Sequence, residues 1–144
     1  RKFETAVNKF LDNKTLHIAE GRRYATRNNR ATYVESQNHH QYPLTSLSSG
    51  ERQVLTMLFS ASRLSATSGI FLIDEPELSL HIDWQRIVLS ELMAQSGGRQ
   101  IVACTHSPEV GADHSEGVQI FEPTTYNPFG PLKSESDSIL DDSI

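Results

Sequence analysis

The 144-residue chain is 37% hydrophobic and 22% charged, the balance of a globular protein large enough for one domain with a real core. Its longest apolar run falls far short of the roughly 18 residues a membrane span requires, and no continuous apolar region follows Arg1-Lys2-Phe3-Glu4 to form a secretory signal. One cysteine, Cys104, excludes an intrachain disulfide and fits a reducing, cytoplasmic setting, and a first residue other than methionine points to a fragment of a longer chain.

From the N-terminus, Phe3, Ala6, Val7, Phe10 and Leu11 recur at helical spacing, so residues 2 to 12 are predicted as a helix that Asp12-Asn13-Lys14 ends. Leu16-His17-Ile18-Ala19 and Ala31-Thr32-Tyr33-Val34 read as two short strands of a hairpin, with a polar segment between them and a loop from Gln37 to Pro43. The net charge of −5 is unevenly spread: residues 1 to 34 hold eight basic and three acidic side chains, the remainder five basic and fifteen acidic. Arg22, Arg23, Arg27 and Arg30 cluster in the hairpin tip. Such a cluster either tracks the phosphates of nucleic acid or solvates an exposed tip.

Leu44-Thr45-Ser46-Leu47-Ser48-Ser49-Gly50-Glu51 precedes a helical pattern in which Val54, Leu55, Met57, Leu58, Ala61 and Leu64 supply the apolar face from about 51 to 64. A helix start offers unpaired N–H groups and a positive dipole end, Ser48 adds a hydroxyl, and Gly50 lets an anion approach the backbone. The same residues also make an ordinary serine N-cap.

Ile70-Phe71-Leu72-Ile73 is too short for a helix and suits a strand buried on both faces, as in a parallel sheet. It ends in Asp74 and Glu75, and Pro76 stops it. Two acids at the carboxyl end of a parallel strand stand where open α/β sheets place ligands. An apolar run closed by Asp-Glu is a Walker B motif, in which the Asp supports the magnesium of a nucleotide and the Glu orients or polarises the attacking water. The bland alternative is a strand that ends in a solvated acidic turn.

Asp83 to Gln95 reads as a helix with Trp84, Ile87, Val88, Leu89, Leu92 and Met93 inward, stopped by Ser96-Gly97-Gly98. Gln100 to Cys104 is a second buried strand. It leads into Thr105-His106-Ser107-Pro108, where Ser107 and Pro108 suit the cap and first turn of a short helix. His106 therefore stands at the same sheet edge as Asp74 and Glu75, either as a functional group or as a structural hydrogen-bonder. Gly117 to Phe121 is read as a last strand, and the segment from Glu122, with prolines, serines and late acids, as a mobile tail.

Leu47-Ser48-Ser49-Gly50-Glu51, then Ile70 to Glu75, then Thr105-His106-Ser107, in that order, resembles the second half of an ABC-type ATPase domain over roughly residues 44 to 122. Leu47 to Glu51 looks like the ABC signature, Leu78-Ser79-Leu80-His81 like the D-loop, and His106 like the switch histidine. Asp-Glu-Pro-Glu-Leu-Ser-Leu-His is similar to the AAA-type ATPases of bacterial defence. These include the overcoming-lysogenisation-defect nucleases and the ATPases of Septu and retron systems, relatives of the SMC and DNA-repair ATPases. Each motif is weak alone, and the ordered set is specific. The sequence departs from the family in having no Walker A segment, G-x-x-x-x-G-K-[ST], and no identifiable glutamine loop. It also has Ser49 where many transporters have glycine, and His81 in place of the usual D-loop aspartate.

The resemblance implies an α/β P-loop NTPase of the ABC type, with a mainly parallel sheet flanked by helices and an N-terminal β-hairpin. Residues 1–122 would be the C-terminal part of the ATPase domain and 123–144 a flexible polar tail. It implies ATP and Mg2+ as cofactors, Asp74 on the metal, Glu75 and His106 as catalytic residues, and Leu47, Ser48, Ser49, Gly50, Glu51, Ser79 and His81 as nucleotide contacts. The implied partners are a second copy in a head-to-head dimer and an effector such as a nuclease, with nucleic acid reached through the four arginines and no membrane. Two rivals stand beside this reading: an ATP-dependent nucleic-acid clamp, and a regulatory interaction module without catalysis.

Overall fold

A computed structural model describes residues 2–18, 32–64 and 69–121. The segment expected as a hairpin tip, with Arg22, Arg23, Arg27 and Arg30, and all of the expected tail lie outside the described residues. In chain order the elements are α1 (Lys2–Asn8), β1 (Lys14–Ile18), β2 (Thr32–Ser36), β3 (Gln41–Tyr42), α2 (Ser49–Leu64), β4 (Phe71–Asp74), α3 (Ile82–Gln95), β5 (Ile101–Cys104) and α4 (Pro108–Gly111). Short 3₁₀ turns cover Leu44–Ser46 and Ala112–Gly117. The chain is thus α/β, with a small parallel sheet flanked by helices and a separate antiparallel sheet.

The antiparallel sheet has the order β1-β2-β3 and pairs Leu16 with Val34 at its centre, both fully buried. The loop expected from Gln37 to Pro43 contains β3, because Val34 and Glu35 extend the ladder to Tyr42 and Gln41. Helix α1 ends earlier than its apolar spacing suggests. Asn8, its last residue, bonds the backbone of β1 through its side chain: Oδ1 accepts from the Leu16 N–H at 2.7 Å and Nδ2 donates to the Leu16 carbonyl at 3.3 Å. Phe10 remains in the core beyond the helix end, edge-on to Trp84 with ring centroids 5.9 Å apart.

One core joins all of this. Val7, Phe10, Leu16, Val34, Val54, Leu58, Val88 and Leu92 are fully buried, with α2 packed between α1 and α3. Phe71, Ile73 and Ile101 press on that core from the parallel sheet. This sheet corrects an expectation. β4 and β5 pair in parallel, with Phe71 opposite Ile101 and Asp74 opposite Cys104, yet only one face is covered. Leu72 is 71% exposed and Val102 43% exposed, because alternate residues of a strand point to opposite faces and nothing among the described residues packs on the second one. The last predicted strand is also absent. Val118 to Phe121 has no regular structure, and Ile120 and Phe121 are exposed, because a strand exists only through a pairing partner and none among the described residues meets it.

Candidate active site

The site lies where β4 and β5 end. Their parallel register carries Asp74 and Cys104 to the same level, and the Glu75 N–H donates to the Cys104 carbonyl at 2.8 Å, extending the pairing by one residue. The chain then turns sharply. Glu75 takes the left-handed conformation (φ 46°), unusual for a residue with a Cβ, and Pro76 follows in a fully buried position. Held sparsely populated conformations of this kind cluster at functional sites. On the other strand the chain leaves β5 through Thr105 and His106 into α4. Ser107 caps α4, its hydroxyl accepting from the Glu109 N–H at 3.3 Å with Pro108 in the first turn, as its sequence predicts.

These turns bring Glu75 and His106 together. His106 Nε2 stands 3.5 Å from Glu75 Oε1, with the imidazole 89% exposed and the carboxylate partly covered. Asp74 is exposed and none of its oxygens has a hydrogen-bond partner among the described residues. Asp74 is the last residue of β4 and Glu75 lies in the left-handed turn beyond it, and of the two only Glu75 pairs with His106 among the described residues.

Sequence reasoning missed Glu77. Its Oε1 accepts from the backbone N–H of His106 at 2.7 Å and of Ser107 at 3.1 Å, while Oε2 is buried without a hydrogen-bond partner among the described residues. Partial burial pushes this carboxyl up. The polar groups gathered round it, its own N–H and the Thr105 hydroxyl together with the bonded His106 and Ser107 N–H groups, outweigh burial and hold it below its ordinary value. The only signal available beforehand was a third acid in Asp-Glu-Pro-Glu, where a solvated turn needs none.

The segment Leu47–Glu51 forms the start of α2. Ser48 and Glu51 make a reciprocal capping box: the Ser48 hydroxyl accepts from the Glu51 N–H at 3.2 Å, and the Glu51 carboxylate accepts from the Ser48 N–H at 2.6 Å. Glu51 is buried, and Lys14 reaches both its oxygens at 2.9 Å. Burial raises the Glu51 carboxyl, and the Ser48 N–H together with the Lys14 bond and charge bring it net below its ordinary value. Both Glu51 oxygens are therefore taken within the chain. Leu47 is buried in the core, and Ser48 and Ser49 are exposed.

Gly50 differs from what its sequence setting suggests. It is buried, and the side on which a Cβ would stand is filled by the carbonyl of Ser79, with the Trp84 ring at 3.5 Å. Its missing side chain thus admits the backbone of the turn after β4. Ser79 itself is left-handed (φ 62°) and exposed. Gln53 adds a 3.5 Å bond from its side chain to the Pro76 carbonyl. His81 caps α3, accepting from the Asp83 N–H at 3.4 Å, and its ring is exposed. The structure therefore joins Glu75, His106 and Glu77 at one edge, and links Gly50 to Ser79 beside them.

An open groove of about 900 Å3 borders β5 elsewhere, lined among others by Leu89, Met93, Ile101, His114 and Val118, and contains none of these site residues. No helix among the described residues is long and apolar enough to cross a membrane.

The chain has relatives among known proteins. It is 29% identical over 120 residues to the Retron Ec83 probable ATPase of Escherichia coli, a match that takes in 69% of this chain. The chain spans 22% of that relative's length. The profile of a family described as "AAA domain, putative AbiEii toxin, Type IV TA system" matches residues 1–113. Most of the chain, including every site residue above, falls within that match, and the chain belongs to this AAA ATPase family.

Proposed function

We propose that this chain forms the hydrolytic side of an ABC-type ATP site, with Asp74 supporting magnesium, Glu75 acting on the attacking water and His106 sensing the γ-phosphate. The observation that carries the reading is the Glu75–His106 pair, 3.5 Å apart just beyond the carboxyl ends of two paired parallel strands. The residues present suit a nucleotide-bound magnesium. That ion takes one or two carboxylates and completes its shell with waters and substrate phosphates. Asp74 offers an exposed carboxylate free of other bonds among the described residues. When bound, Mg2+ and ATP supply the transferable phosphoryl group and the charge that neutralises it. Glu75, held partly out of water, orients a water molecule and accepts its proton. His106 presents a ring nitrogen to an anion arriving at the strand ends.

Leu47, Ser48, Ser49 and Gly50 are assigned to the γ-phosphate of a second copy in a head-to-head dimer. The first-turn N–H groups outside the Ser48–Glu51 capping box and the positive end of a 16-residue helix favour an anion there. Glu51 serves that site indirectly, by fixing the first turn, and Ser79 and His81 border it. The relative's name, a probable ATPase of a retron, supports placing the activity in anti-phage defence, with opening and closing of the dimer passed to an effector such as a nuclease.

The test separates the two acids in the complete ATPase. Asp74→Asn weakens nucleotide binding and turnover together. Glu75→Gln keeps binding, lowers turnover by roughly 10²-fold or more through loss of the proton acceptor, and accumulates the closed dimer on sizing. Normal turnover by Glu75→Gln, or failure of that variant to bind ATP, overturns the assignment.

A further inference from the structure

We propose that Glu77 is a positioning residue that sets the separation of Glu75 and His106 by gripping the backbone of the 105–107 turn. The inference rests on the reading of Glu75 and His106 as the hydrolytic pair, and it gives the third acid of the Asp-Glu-Pro-Glu run a task of its own.

The His106 ring is 89% exposed, and its one polar contact among the described residues is Glu75 Oε1 at 3.5 Å. No surrounding packing holds the ring, so its place is dictated by its backbone. Two N–H groups of that backbone, His106 and Ser107, end on a single oxygen of Glu77. From the other side Ser107 is fixed by its hydroxyl, which donates to Gln85 Oε1 at 2.6 Å. The turn is therefore clamped between the segment after β4 and helix α3.

The segment that bears the clamp is itself stiff. Pro76, with its restricted φ, lies fully buried between Glu75 and Glu77, and Glu75 is locked in the left-handed region. The Leu78 N–H bonds the Glu75 carbonyl at 3.2 Å and the Leu80 N–H the Glu77 carbonyl at 3.0 Å. One rigid turn thus carries the carboxylate that faces the histidine ring and the carboxylate that holds the histidine backbone.

The chemistry of Glu77 suits this task. Bonds from N–H groups to a carboxylate are stronger than those to a neutral acceptor. The arrangement has a cost, since Oε2 is buried with no hydrogen-bond partner among the described residues. A carboxylate kept in place despite that cost is one whose other oxygen matters.

The experiment is a double-mutant cycle in ATP turnover by the complete ATPase, paired with amide NMR of the 144-residue chain. Glu77→Ala is expected to lower kcat by roughly 10- to 10²-fold, the effect of a displacement of about 1 Å, with KM for ATP little changed. Combined with His106→Ala it should add nothing further, because Glu77 acts only through His106. Glu77→Gln, which keeps an acceptor oxygen, should recover part of the loss and serves if the alanine variant fails to fold. In the NMR arm, the His106 and Ser107 amide protons should move upfield and exchange faster in Glu77→Ala. Unchanged amides, or additive losses in the double variant, overturn the positioning role. Full turnover by His106→Ala alone would instead overturn the hydrolytic pair, while the amide shifts would still report the clamp.

Discussion

A Cβ on Gly50 would overlap the carbonyl oxygen of Ser79, so the first turn of α2 and the turn after β4 meet backbone to backbone. The contact ties the start of the helix that bears Ser48 to the segment that bears Glu75 and Glu77, and Trp84 borders it. Neither partner is a side chain that could rotate away. Any movement of one turn must carry the other or break the contact.

Substituting Gly50→Ala tests that junction. Helix propensity alone favours alanine by up to about 1 kcal/mol. Overlap with a backbone carbonyl has the opposite sign and costs about 1–3 kcal/mol. Net destabilisation is expected in denaturant unfolding followed by the fluorescence of Trp84, the chain's single tryptophan, whose ring lies 3.5 Å from the added atom. A variant more stable than the wild type would show that the junction is open.

The Lys14–Glu51–Ser48 arrangement predicts a pH signature. The Glu51 carboxyl is held below its ordinary value of 4.5 in the folded chain. Its contribution to stability is therefore fully present above that value and is lost as pH falls through the folded pKa. Glu51→Gln should cost about 1.5–3 kcal/mol at neutral pH, the range for hydrogen bonds to charged groups. Its stability should converge on the wild type as the pH falls below about 4.5. Parallel stability curves down to pH 3 would remove the charge of Glu51 from the account.

Arg22, Arg23, Arg27 and Arg30 lie in the sequence between β1 and β2, outside the described residues. Replacing all four with alanine should weaken binding to nucleic acid and flatten its salt dependence by about one unit of slope per lost phosphate contact. The measurement is the slope of log affinity against log salt for a duplex and a single strand. An identical slope in the variant would leave the cluster as a solvated tip.

The helices α2 and α4 and the end of β4 were legible because each rests on local chemistry. The apolar spacing of Val54, Met57, Leu58 and Ala61 marks α2, Ser107-Pro108 marks the start of α4, and Pro76 ends β4. The meeting of Glu75 with His106 followed from two strands sharing an edge. Three features were hidden for a common reason: each depends on what lies across from it. An apolar run cannot say whether both its faces will be covered, so Leu72 was expected inside. Gly117 to Phe121 looks like a strand but finds no partner among the described residues. Glu77 reads as one more surface acid until the His106 and Ser107 N–H groups are placed against it.

The bare side of the two-stranded sheet bears on Asp74. Leu72 and Asp74 are two apart on β4 and both exposed, so they share that side, with Val102 and Cys104 beside them on β5. Any surface that shelters Leu72 from water comes up against Asp74 as well. A carboxylate moved into an apolar setting must gain a cation or a proton. Covering the sheet and loading Asp74 are therefore thermodynamically linked: whatever settles on Leu72 and Val102 raises the affinity of Asp74 for a positive charge, and a cation on Asp74 makes the sheet easier to cover.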